Sequence, residues 1–202
     1  FIDIEKYTNP YTDCQRDLMA EKNEFIITHI SNLREVKRVR DVIEIFDRIQ
    51  KKIPAKLIMV GEGPEKVACE RLCREKGIEN KVKFLGNSSE IDKILCFSDL
   101  FLLPSEKESF GLAALEAMAS GVPVISSNTG GLPEVNQHGV SGYLSDVGAI
   151  DDMAANALSI LSSPEELAKF KKNAKETARK FDTANIVPLY EDIYSKAISY
   201  VS

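Results

Sequence analysis

Two glutamates stand on either side of a helix start in Pro104-Ser105-Glu106-Lys107-Glu108-Ser109-Phe110-Gly111-Leu112-Ala113-Ala114-Leu115-Glu116. Glu108 precedes the glycine, in a loop, and Glu116 follows it, inside a helix. The apolar run Leu100-Phe101-Leu102-Leu103 ahead of them reads as a buried strand that Pro104 ends. Beyond Gly111, residues Leu112, Leu115, Met118 and Ala119 recur at helical spacing until Gly121 closes the helix before Pro123. A helix beginning there offers the backbone N–H groups of Phe110, Gly111 and Leu112 to an anion, and its macrodipole favours negative charge. Gly111 lets a ligand approach the backbone closely. At about 1.5 Å per residue, Glu116 lies about 7 to 8 Å further along the axis, with its side chain leaning back toward the helix start. A carboxylate there can accept from both hydroxyls of a ribose, while Glu108 meets polar groups on the far side of the ligand. Each acid alone is an ordinary solvated side chain. Strand, glycine and spacing together predict a long anionic ligand held at three points.

Such a clamp needs elements that bring it to one edge. Strand-like runs alternate with helical patterns from Phe25 onward: Phe25 to Ile30, Leu57 to Val60, Val82 to Leu85, Leu100 to Leu103, Val122 to Ile125 and a short run from Gly142 to Leu144. Helices are expected around Val39 to Ile49, through Val67, Leu72 and Cys73, at Ile91 to Leu95, after Gly111, from Ile150, and from Ile186 to Val201. The predicted fold class is α/β, a doubly wound parallel-sheet Rossmann-like domain with helices on both faces. Ligands bind at the carboxyl ends of the strands in such sheets, so the site loops should be residues 31–37, 61–64, 86–89, 105–112 and 127–134. The first brings Arg34, Lys37 and Arg38 to the edge that carries the glutamates, and Lys37 or Arg34 could neutralise a diphosphate at Gly111. No Asp-x-Asp pair is present to bridge a divalent metal, so no metal ligands are assigned. Thr129-Gly130-Gly131 is read first as a structural turn. His29 is expected as a hydrogen-bonded core residue and His138 on a surface loop, neither catalytic.

A length of 202 residues suits one sizeable core. A net charge of -5 argues against nucleic acid as a partner. No apolar run reaches the roughly 20 residues of a membrane span, and no signal peptide is visible. Cys14, Cys69, Cys73 and Cys96 are too sparse for a disulfide framework; Cys69 and Cys73 read as buried packing positions, and a reducing cytoplasm as the setting. Because the chain starts at Phe1, a piece of a longer protein is expected.

The Glu108-to-Glu116 spacing, Lys37 after the first strand, Gly61-Glu62-Gly63-Pro64, Phe84-Leu85-Gly86, and Gly121-Val122-Pro123-Val124-Ile125 followed by Gly130-Gly131 and Pro133-Glu134 resemble one known family. It is the C-terminal domain of the family 4 retaining nucleotide-sugar glycosyltransferases, whose two Rossmann domains form the GT-B architecture. The resemblance runs from Phe1 to about Tyr194. It implies the C-terminal half of a GT-B fold, with residues 1–22 as a linker from a missing N-terminal domain, 23–180 as the donor-binding domain and 181–202 as a C-terminal crossover helix. It implies that Glu116 binds the ribose, Lys37 the diphosphate and Glu108 the transferred sugar. Phe110, Gly111 and Leu112 would hold sugar and phosphates by their backbone, Gly61 would line the site, and uracil would lie near Asn87. Many members have Gly-Arg where this chain has Ser31-Asn32, so Asn32, Arg34 and Lys37 are expected to share the phosphate contacts. Glu108 and Lys37 would be the catalytic pair.

Ile30-Ser31-Asn32, Val36-Lys37-Arg38-Val39, Ser105 to Leu112 and Gln137-His138-Gly139 look most like members that move N-acetylglucosamine to L-malate in bacillithiol synthesis. That likeness implies UDP-N-acetylglucosamine as donor substrate, no required cofactor, and L-malate as acceptor, met through the missing domain, without which turnover is not expected. A homo-oligomer stays open. So do another family 4 enzyme with a different sugar or acceptor, for cell-envelope glycan or sucrose-related chemistry, and a non-catalytic nucleotide-sugar-binding module. A signalling receiver is disfavoured, because Arg34 and Lys37 stand where acids would be needed.

Overall fold

The computed structural model describes residues 1–8, 14 and 16–199. In chain order the elements are α1 (Glu5–Thr8), β1 (Phe25–Ile30), α2 (Val39–Gln50), β2 (Ala55–Val60), α3 (Lys66–Lys76), β3 (Val82–Gly86), α4 (Ile91–Cys96) and β4 (Leu100–Leu103). They continue with α5 (Leu112–Ala119), β5 (Val124–Ser127), α6 (Leu132–Val135), β6 (Gly142–Ser145), α7 (Ile150–Leu161), α8 (Pro164–Ala178) and α9 (Thr183–Ser199). The strands form one sheet in the order β3-β2-β1-β4-β5-β6, and every pairing is parallel. This is the doubly wound order, with its switch point between β1 and β4.

Continuous apolar strands are what a sheet covered on both faces requires. All four residues of β4 are buried, and they alternate between two cores. Leu100 and Leu102 join Ile27, Leu57 and Met59 beneath α2, α3 and α7. Phe101 and Leu103 join Leu115, Met118 and Val124 beneath α5, with Ala174 and Ala178 of α8. The chain therefore leaves β1 toward one face and β4 toward the other, and the loops between diverge into a crevice. The α8 start is written plainly in the sequence: Ser163 caps it, accepting from Glu166 N at 3.1 Å, with Pro164 in its first turn.

Several boundaries differ from the sequence reading. Strand β5 begins at Val124, after Pro123, which has no N–H to give a ladder. Val67 is 71% exposed, so the buried face of α3 is carried by Cys69 and Cys73. Their thiols are pushed up by burial, Cys69 to about 12 and Cys73 to about 11, which makes them unreactive packing groups. Helix α9 starts at Thr183, and the predicted end at Val201 lies outside the described residues. Cys14 and Cys96 are joined as a disulfide across a Cα–Cα distance of 5.9 Å, a pairing the sequence analysis did not anticipate. The first residues fold back on the domain: Ile2 and Ile4 are buried beside α5, and Ile2 pairs with Asp182. Among the described residues no helix is long and apolar enough to cross a membrane.

Candidate functional site

Two loops meet at the switch point. Glu106 N donates to Val36 O at 2.9 Å, fastening the loop after β4 to the turn after β1. That bond brings together the two side chains singled out from the sequence: Lys37 Nζ donates to Glu108 Oε2 at 2.6 Å. Their side chains are only 19% and 15% exposed, so the pair is shielded well beyond an ordinary surface ion pair. Ser105 Oγ donates to the same oxygen at 3.4 Å. Beside the pair lies a cavity of about 280 Å³, lined by Val36, Lys37, Lys107, Glu108, Thr129 and Gly130 among others.

The Gly130-Gly131 turn, which shares the cavity wall, braces this loop. Gly131 N donates to Glu108 O at 3.1 Å, and Thr129 Oγ1 to Glu106 O at 3.1 Å. A Cβ on Gly130 would lie 1.8 Å from the Glu108 carbonyl oxygen. The turn is thus structural in itself and sets the position of the loop that bears the acid.

Helix α5 opens at Gly111, which holds φ 87° as its N-cap, and no side chain caps the helix. Among the described residues the amides of Phe110, Gly111, Leu112 and Ala113 meet no acceptor, which leaves them available to a ligand. Leu112 itself is half exposed, so its place in the helical pattern was rim rather than core. Glu116 lies further along α5, partly buried, and its carboxylate accepts from Tyr7 Oη at 2.9 Å. Burial pushes the Glu116 carboxyl above the ordinary glutamate value, against the pull of the Tyr7 hydrogen bond and of Lys6.

Other predicted residues spread along the same edge. Asn32 and Arg34 are exposed in the turn after β1, and among the described residues neither side chain has a hydrogen-bond partner. Asn87 is exposed after β3. Gly61 has a backbone role in the fold: at φ 121°, a Cβ there would lie 1.8 Å from Ser31 O. Gly61 N also donates to Gly86 O at 2.8 Å, so Gly61 locks the first three loops to one another. Beneath them His29 is fully buried. Its Nδ1 meets Leu102 O at 2.8 Å and must donate to it, because a carbonyl only accepts; Nε2 then accepts from Ser31 Oγ at 2.7 Å. Burial lowers its pKa to about 4, keeping it neutral. His138 is exposed, and its Nδ1 accepts from Leu144 N at 3.1 Å. Among the described residues no group of three or more His, Cys, Asp or Glu side chains could hold a metal ion.

The sequence reading missed Tyr7, which lies 109 residues from Glu116. It also passed over Ser105, whose hydroxyl reaches the Glu108 carboxylate.

Comparison with known proteins gives the family and the fold. Residues 13–177 match the family described as glycosyl transferases group 1. The N-acetyl-alpha-D-glucosaminyl L-malate synthase of Bacillus anthracis is 43% identical over 196 residues, 96% of this chain and 51% of that protein. Anabaena Alr3699/HepE, solved in complex with UDP and glucose, superposes with a TM-score of 0.89 at 27% identity, covering 96% of this chain and 55% of that one. The C-terminal domain of the group 1 family protein LpcC from Francisella tularensis, 24% identical, shares the fold with a TM-score of 0.80; the match covers 91% of this chain and 100% of that domain. The chain spans about half the length of the curated relatives it matches over most of its own length. With the family matched across most of its residues, the chain belongs to the glycosyl transferases of group 1.

Proposed function

We propose that this chain is the donor-binding half of a retaining glycosyltransferase that moves N-acetylglucosamine from UDP-N-acetylglucosamine to L-malate. The observation that carries the reading is the shielded Lys37–Glu108 pair beside the open N-terminus of α5, with Glu116 one step further along the same helix. The B. anthracis relative supplies the substrates.

In this reading Glu116 takes the ribose hydroxyls, and uracil lies near Asn87. The diphosphate rests on the amides of Phe110, Gly111 and Leu112. Lys37 faces it, assisted by Asn32 and Arg34 at the rim. A lysine has three donors, so one can stay on Glu108 while two serve phosphate oxygens. Glu108 has a second oxygen for the hydroxyls of the transferred sugar. As the glycosidic bond breaks, negative charge grows on the leaving UDP. Lys37 and the helix amides are fixed before reaction and stabilise that charge. Same-face attack, with the leaving phosphate taking the acceptor's proton, gives retention. The acceptor is met by a second domain beyond this chain, and turnover by these residues alone is not expected.

Calorimetric titration of the chain with UDP-N-acetylglucosamine, UDP-glucose, ADP-glucose and GDP-glucose tests the donor. The reading predicts that both UDP sugars bind, with the acetamido sugar tighter. Preference for ADP- or GDP-glucose would sink it. Equal binding of the two UDP sugars would favour a group 1 enzyme with another sugar, a reading that the UDP- and glucose-bound Anabaena neighbour keeps in play.

A further inference from the structure

We propose that Tyr7 is a positioning residue for the nucleoside: its phenol fixes the Glu116 carboxylate in the orientation that receives the ribose hydroxyls. This deepens the reading above and rests on its assignment of the ribose to Glu116.

Tyr7 belongs to α1, yet its hydroxyl reaches Glu116 Oε1 at 2.9 Å. Two features hold α1 there. Ile2 and Ile4 are buried in the same cluster as Leu115 and Met118 of α5. Ile2 N donates to Phe181 O at 2.9 Å, and Thr183 N to Ile2 O at 2.8 Å. Phe181 in turn packs edge-on against Phe110 at a centroid distance of 6.0 Å. One clasp between the first residues and residues 181–183 therefore supports both the start of α5 and its glutamate.

The phenol suits the task chemically. A carboxylate offers about four acceptor positions. Tyr7 occupies one, which leaves enough for two ribose hydroxyls. Burial disfavours the charged form of Glu116, and a neutral O–H donor offsets that without introducing a cation that would compete for phosphate. Burial and the Glu116 charge also raise the Tyr7 phenol above its usual value, with Asp92 and Asp3 adding to the effect, so it stays a donor at neutral and mildly alkaline pH. The ring already packs against the α5 core, and the hydroxyl's one partner among the described residues is Glu116.

Tyr7→Phe keeps the ring and removes the donor. In calorimetric titrations the variant is expected to bind UDP about 10-fold more weakly, about 1.4 kcal/mol, and 2′-deoxy-UDP with a much smaller loss, so the preference for the ribonucleotide narrows. Its melting temperature should stay within a few degrees of the unsubstituted chain. Equal losses for both nucleotides, no loss for either, or a melting temperature lowered by roughly 10 °C or more would assign Tyr7 a purely structural role and overturn the proposal. Glu116→Gln in the same titrations separates the two levels. If it leaves UDP affinity intact, the ribose assignment fails and the Tyr7 proposal with it. If it weakens UDP while Tyr7→Phe does not, only the Tyr7 proposal fails.

Discussion

Glu108 and Glu116 flank one helix start, but the loop surrounds the first with a cation and a hydroxyl, while the helix surrounds the second with apolar chain and a phenol. At Glu108 the charge is compensated before any ligand arrives, by an ion pair at 2.6 Å. A ligand there must enter an existing pair and share Lys37. At Glu116 the close partner is a neutral donor, and burial still pushes the carboxyl upward. A ligand bringing further neutral donors relieves that desolvation, whereas an anionic ligand would add to it. The two ends are thus preset for different chemistry, phosphate and sugar beside the ion pair and neutral hydroxyls along the helix.

The largest predicted effect tests whether the Glu108 end depends on its brace. Gly130→Ala places a methyl group on the Glu108 carbonyl at a backbone φ of 55°, and is expected to cost about 3 kcal/mol of stability and to abolish UDP-sugar binding. Gly139 has a similar φ of 74° with nothing within 4 Å, so Gly139→Ala should cost only about 1 to 2 kcal/mol. Urea unfolding of both variants measures the difference; equal costs would remove the brace from the account.

Separating the partners within the ion pair should give the next effect. Lys37→Ala removes the diphosphate's cation and leaves Glu108 to repel it, so UDP affinity should fall on the order of 100-fold, about 2.7 kcal/mol. Glu108→Gln should leave UDP within about 3-fold and weaken UDP-N-acetylglucosamine more. The reverse pattern would exchange the roles of the two side chains.

The smallest effect is a pH dependence at the other end. Because the Glu116 carboxyl is raised, it protonates at a higher pH than an ordinary glutamate, and its acceptor charge is lost as pH falls through that elevated value. UDP affinity should therefore decline on acidification at pH values above 4.5, the usual glutamate value. Glu116→Gln keeps the contribution of the UDP phosphates and removes that of the carboxyl, so the difference between the two profiles isolates Glu116. An acid limb unchanged by that substitution would mean Glu116 does not govern it.

The sheet was legible because each strand from Phe25 onward is a short apolar run bounded by glycine, proline or a helical pattern, and such local signals survive folding. That Lys37 and Glu108 share one edge was legible for a topological reason, since both follow strands of a doubly wound sheet and such loops converge; the ion pair between them was not anticipated. Tyr7 was not legible. Its contact with Glu116 depends on how Ile2 docks beside Phe181, and no periodicity records an approach across 109 residues. Gly61 was expected to line the site, but its close backbone approach to Ser31 is something that spacing does not express. The Cys14–Cys96 pairing was hidden likewise, since 82 residues separate the two cysteines.

A crystal structure of the chain with UDP-N-acetylglucosamine bound tests the central claim most directly. The account predicts both ribose hydroxyls on the Glu116 carboxylate, with Tyr7 still donating to it. The diphosphate should lie between the amides at Gly111 and Lys37, and the sugar hydroxyls on Glu108. A nucleotide bound away from the start of α5, or a ribose that leaves Glu116 untouched, would contradict it.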